Sequence, residues 1–161
     1  MTDHDDGVDL AVAAFREDGE WVVADLTHDH LVDLDSLAGG LRQLGGLAGA
    51  LGMVVFEEDF LLLVRVEPGR TRVLLSDITA AEDWDLAASA LEHLGLPLPE
   101  DDDDPVPAGH LDILSDLGVS IQDLADLLDD EDLYPDEMLS DVARTLGFGD
   151  LFDDADDLTS A

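Results

Sequence analysis

The histidines and carboxylates are the side chains with which this chain could do chemistry. His28 and His30 flank Asp29 in Thr27-His28-Asp29-His30, which can place two imidazoles on one side of an extended segment and so begin a metal site. Such a site needs a third strong ligand and outer hydrogen-bond support. The sequence identifies neither, so solvated loop histidines are the stronger reading. Carboxylates can serve as general acids and bases, but 41 Asp and Glu among 161 residues make any pair at catalytic spacing uninformative. Asp101, Asp102, Asp103 and Asp104 could draw divalent cations. The run lacks the alternating spacing and the glycine of a calcium loop, and Pro105 follows at once, so it reads as a diffuse cation atmosphere.

Other enzyme signatures are excluded by residue type. The chain has no Lys, hence no P-loop lysine and no Schiff base, and no Cys, hence no thiolate nucleophile, disulfide or Cys-based zinc site. Neither G-x-S-x-G nor H-E-x-x-H occurs. Gly46, Gly49 and Gly52 are spaced unlike G-x-G-x-x-G and follow a helix, where the dinucleotide fingerprint must precede one. Trp21 and Trp84 fall at inward positions and read as core. No catalytic, cofactor-binding or metal-binding residue is expected.

Charge carries more information. Six Arg oppose the 41 acids, giving a formal net charge of −35. A GC-rich codon bias would remove Lys but supply Arg freely, so the excess of acid has another cause: adaptation to high salt, or a surface built to meet something basic. Direct nucleic-acid binding requires clustered Arg and Lys to neutralise phosphate, and anionic membranes repel such a chain. Met1 to Gly7 shows neither a basic nor an apolar signal region, and no apolar run approaches a membrane span. A cytoplasmic location is expected.

The elements that must carry these groups are legible in the apolar pattern. Val8 to Phe15 and Glu20 to Leu26 read as strands around an Asp18-Gly19 hairpin turn. A helix follows from about Asp35, with Leu34, Leu37, Ala38, Leu41, Leu44 and Ala48 at helical spacing, its glycines permitting close approach to a sheet. Met53 to Glu57, Phe60 to Val66 and Arg72 to Leu75 are three more strands, the last two joined by a type II turn at Pro68-Gly69. A second helix starts at a Thr79 to Glu82 capping box, with Trp84, Ala87, Ala88, Leu91 and Leu94 inward. The order ββαβββα predicts an α+β fold, a five-stranded antiparallel sheet with two helices, like longin and roadblock sandwiches in element order. Phe60 to Val66 is apolar on both sides. Its second face must be covered by the C-terminal region, by a partner, or by another copy in a homodimer.

The expected organisation is a disordered start over 1–7, a sandwich domain over 8–96, an acidic Pro-rich linker over 97–107, a small helical region over 108–152 and a frayed tail over 153–161. Ser120 can cap one helix and Pro135 can open another. Residues 99–161 hold 21 of the acids and a single Arg, so a partner with a basic surface would meet this half. The candidate contacts are Asp101 to Asp104, together with Phe148, Asp150, Leu151 and Phe152, where two aromatics among acids resemble a short recognition segment. A packing contact on the preceding helix explains those aromatics equally well.

Phe60 to Gly69 (FLLLVRVEPG), Arg72 to Thr79 running into the Trp84 helix, Pro107 to Leu114 (PAGHLDIL) and Leu146 to Phe152 (LGFGDLF) together resemble the actinobacterial tRNA adenosine deaminase-associated protein family. The resemblance implies a place beside that deaminase and carries over no catalytic residue. The chain is not the deaminase itself, which needs H-x-E and P-C-x-x-C to hold zinc. Here Cys is absent, and no His is followed two positions later by Glu. The expected function is that of a non-catalytic acidic adaptor for a protein with a basic surface. The alternative is a small-ligand module or enzyme using the open sheet face.

Overall fold

In the computed structural model, residues 8–26, 31, 33–45, 49–56, 60–82, 84–96, 107–130 and 132–152 are described. Alternation of side chains along extended segments sets the architecture. Six antiparallel strands, β1 (Val8–Glu17), β2 (Glu20–Asp25), β3 (Ala50–Phe56), β4 (Phe60–Glu67), β5 (Arg70–Leu75) and β6 (Ala108–Gly109), form one sheet in the order β2-β1-β3-β4-β5-β6. Both tight turns form where the sequence asks for them. Asp18 and Gly19 take φ of 54° and 85°, and Gly69 takes 74°.

Successive residues of β4 feed two separate cores. Leu62, Val64 and Val66 join Val54, Val73 and Leu75 on the front face, beneath helices α1 (Leu34–Gly45) and α2 (Asp85–Leu94). Leu61 and Leu63 join Met53, Val55 and Leu74 on the back face. There they pack on Ile113 and Leu114 and on helices α3 (Ile121–Leu128) and α4 (Pro135–Leu146). The covering layer is the chain's own C-terminal region. That removes the reason for expecting a second copy over this strand.

Helix α1 is seated by Asp33, whose Oδ1 accepts from the Ser36 N–H at 2.8 Å, an interaction that lowers the Asp33 pKa. Its Leu34, Leu37, Ala38 and Leu41 are buried, as the spacing requires. The close approach to the sheet is set from the strand side. A Cβ on Gly52 would lie 3.0 Å from Leu41 Cδ1, whereas Gly39 faces open space.

Two expectations are corrected. The sheet has six strands, because Ala108 and Gly109 leave the expected helical region and pair with Leu75 and Leu74. A two-residue strand is too short to alternate visibly. Helix α2 begins at Asp85, six residues after the expected start, and Ile78–Glu82 forms a 3₁₀ turn. Asp77 Oδ1 accepts from both the Thr79 N–H (2.9 Å) and the Thr79 hydroxyl (2.7 Å), so Thr79 is not the residue that caps a helix. Trp84, at φ −125° and ψ 119°, is extended and separates the two elements. Finally, linker residues 97–106 lie outside the described residues, as do 1–7 and the tail 153–161, and Pro107 leads directly into β6.

Candidate functional site

The back layer is built in a fixed order from the sheet outwards. His110 N–H donates to Val73 O at 2.8 Å, extending the β5 to β6 pairing, and the chain then turns across the back face through Ile113, Leu114 and a 3₁₀ turn at Ser115–Leu117. Two arginines hold this crossing. Arg65 and Arg72 are direct cross-strand partners on β4 and β5. Side by side they would repel, but acids and carbonyls interleave them.

Arg65 forks onto Asp116, with Nη1 to Oδ1 at 2.5 Å and Nη2 to Oδ2 at 2.9 Å, and Nη1 also donates to Ile113 O at 2.9 Å. Arg72, with 7% of its side chain exposed, donates from Nη2 to Glu67 Oε1 at 2.7 Å and from Nη1 to Asp112 O at 3.2 Å. The hydrogen bond from Arg65 holds the Asp116 carboxyl below its ordinary range, and the same bond raises the Arg65 pKa. The cluster joins layers. Each guanidinium is committed to a carboxylate and a carbonyl of the same chain, which leaves it poorly suited to a substrate.

These two arginines belong to no motif in the sequence, although the signal for their pairing is present. A two-residue turn at Pro68-Gly69 pairs Glu67 with Arg70 and therefore Arg65 with Arg72. Two arginines placed opposite each other in otherwise apolar strands require anionic partners on that face.

Beyond the crossing, Ser120 caps α3, its hydroxyl accepting from the Asp123 N–H at 3.1 Å. Pro135 opens α4, and the Tyr134 N–H donates to Glu137 Oε1 at 3.0 Å. Gly147, at φ 109°, ends it, and the Phe148 N–H returns to Ala143 O at 2.8 Å. This reversal drives Phe148 against the Trp21 ring, centroids 4.7 Å apart, while Trp21 Nε1 donates to Leu146 O at 3.2 Å.

The candidate contact residues are thereby separated. Phe148 (2% exposed) and Phe152 (0%) are part of the back core. This corrects their reading as a recognition segment, since a side chain without accessible surface cannot be first touched by a partner. Asp150 is exposed and Leu151 is 42% exposed. Asp101 to Asp104 lie outside the described residues, as do His28 and His30. Among the described residues no group of three or more His, Asp or Glu is placed to hold a metal ion.

The outer surface of the back layer is what remains. Asp123, Asp126, Asp129, Asp130, Glu137 and Asp150 are exposed on it. Residues 107–152 contain twelve carboxylates and one Arg, Arg144, which pairs with Asp141 one turn earlier on α4. Both sheet faces are filled by the chain itself. The described residues thus form an α+β sandwich whose outer C-terminal layer is predominantly acidic.

Comparison with known proteins gives this class its family. Residues 9–149 match the model of the Rv3753c-like tRNA adenosine deaminase-associated protein family, and the chain belongs to that family. A relative, Protein Rv3753c of Mycobacterium tuberculosis (strain ATCC 25618 / H37Rv), is 40% identical over 144 residues, covering 88% of this chain and 83% of that protein. No solved structure matches the chain significantly. Among the described residues no helix is long and apolar enough to cross a membrane.

Proposed function

We propose that the chain is a non-catalytic accessory protein that docks on a tRNA adenosine deaminase through the acidic outer surface of its C-terminal layer. One observation carries the reading: Asp123, Asp126, Asp129, Asp130 and Glu137 are exposed on or beside helices whose inner faces are anchored in the back core, and the one arginine of that layer is already paired. A surface fixed in this way presents its charge without an ordering cost and steers a basic partner toward it. An enzyme that binds tRNA must carry basic surface to meet phosphate, so the two are complementary. Asp101 to Asp104, Asp150 and Leu151 extend the proposed contact area, the first four from the linker. The family name supports the choice of partner.

The alternative, a small ligand on an open sheet face, lacks its premise once both faces are covered. The test is association of purified chain and cognate deaminase after nuclease treatment. Binding is expected at about 50 mM salt and weakens by roughly tenfold or more by about 300 mM, as exposed charges become screened. No association at low salt overturns the proposal.

A further inference from the structure

Helices α3 and α4 leave a groove between them of about 380 Å³. It is lined by the aliphatic residues Val119, Leu127 and Val142 and by Thr145, with Asp123 from α3 and the paired Asp141 and Arg144 from α4. We propose that this groove receives a cationic amphipathic helix of the partner, with aliphatic side chains against Val119, Leu127 and Val142 and flanking Arg or Lys against Asp123 and the acids that follow it on α3. The inference names the docking element within the acidic-surface reading and rests on it.

Three features select this occupant. Apart from Thr145, whose hydroxyl already donates to Asp141 O at 3.0 Å, the uncharged lining is aliphatic, so an extended segment laid along it would find few partners for its backbone groups, whereas a helix satisfies its own. Eight residues of α3 span about 12 Å, enough to face roughly two turns of an incoming helix. The surplus charge on the α3 side is negative, with Asp123, Asp126, Asp129 and Asp130 exposed and no base on that helix. A second copy of this chain would bring like charge to like charge.

Nitrogen-15 NMR titration of the full chain with a synthetic helical Leu/Arg peptide tests the groove without the deaminase. An Arg-rich peptide of equal charge lacking the leucines is the control. Amide shifts are expected to cluster at Val119, Asp123, Leu127 and Val142, with the control binding roughly tenfold more weakly. Asp123→Arg should weaken the Leu/Arg peptide by about three- to tenfold, Arg144→Glu should strengthen it by a similar factor, and Asp25→Arg on distant β2 should leave it unchanged. Circular dichroism confirms that each variant is folded. Equal binding of the two peptides, equal sensitivity to Asp25→Arg, or concentration-dependent self-association mapped to the groove would each overturn the proposal. Peptide binding without deaminase binding refutes the choice of partner alone. Deaminase binding with no groove shifts refutes the groove alone.

Discussion

Phe152→Ala separates the two roles that a terminal aromatic among acids could play. Phe152 has no exposed surface and lies in the back core, and its N–H donates to Phe148 O at 3.0 Å. Truncating a buried Phe to Ala removes transfer free energy and leaves a cavity, together about 3–5 kcal/mol. Against a total stability of about 5–15 kcal/mol, that is a large fraction. With a urea m-value of about 1–3 kcal/mol/M, the unfolding midpoint should fall by roughly 1–5 M while m stays constant. Leu151→Ala provides the internal comparison. Its side chain is 42% exposed, so its midpoint should move by less than about 0.5 kcal/mol equivalent. Under conditions where the variant remains folded, Phe152→Ala should bind the deaminase as the parent chain does. If Phe152→Ala kept the parental midpoint yet abolished binding, Phe152 would be a contact residue and the docking of the C-terminal layer described above would be incorrect.

Further outcomes follow from the same layer. Asp116 has its pKa lowered by the Arg65 hydrogen bond, so its contribution is full above the ordinary carboxylate pKa of about 3.9 and is lost as pH falls through the lower folded value. The carboxylate is half exposed and screened, so the contribution is about 0.5–1 kcal/mol. Asp116→Asn should lose that amount at pH 7 and show no difference from the parent well below pH 3, as read by urea midpoints. Gly109→Ala would place a Cβ 2.1 Å from Val73 O at φ +118°, which should destabilise by about 1–3 kcal/mol and raise hydrogen exchange at the His110 amide; unchanged exchange would refute the β5 to β6 pairing. A chain ending at residue 106 would uncover Met53, Leu61, Leu63 and Leu74. It should aggregate or unfold, and a soluble monomer on gel filtration would contradict a back face that depends on its cover.

Much of the fold was legible because period and turn chemistry agree over β1, β2, α1, β4 and β5. Asp18-Gly19 and Pro68-Gly69 each demand a backbone conformation that few other pairs supply, and both turns form as read. The apolar run Phe60 to Val66, interrupted only by Arg65, correctly required two covered faces. What remained hidden depended on contacts distant in sequence. Nothing near Ala108 shows that β5 offers an edge to it, whereas the later start of α2 had a local signal in the Asp77 carboxylate two residues before Thr79. The sequence left recognition and packing both open for Phe148 and Phe152, because part of their shielding comes from strand residues such as Trp21, far earlier in the chain.

The placement of the few cations explains how such an acidic chain folds and why its surface stays one-signed. Arg65 and Arg72 are committed beneath the crossing segment, Arg16 lies 4.8 Å over the Trp21 ring, Arg42 donates to Thr71, and Arg144 pairs along its own helix. The contacts of Arg65 and Arg72 stitch strand to strand and crossing segment to sheet, where a positive charge is partly desolvated and its attraction to carboxylate or carbonyl is strongest. Scattered evenly over the outside, the same arginines would have halved few of the repulsions and held nothing together. Placed as they are, they secure the scaffold and leave the outer carboxylates of α3 and α4 uncompensated. Self-repulsion then lowers stability somewhat, and association with a basic surface relieves it. The free chain should therefore gain stability from added salt and from a basic partner by the same mechanism. Added salt should at the same time loosen the complex.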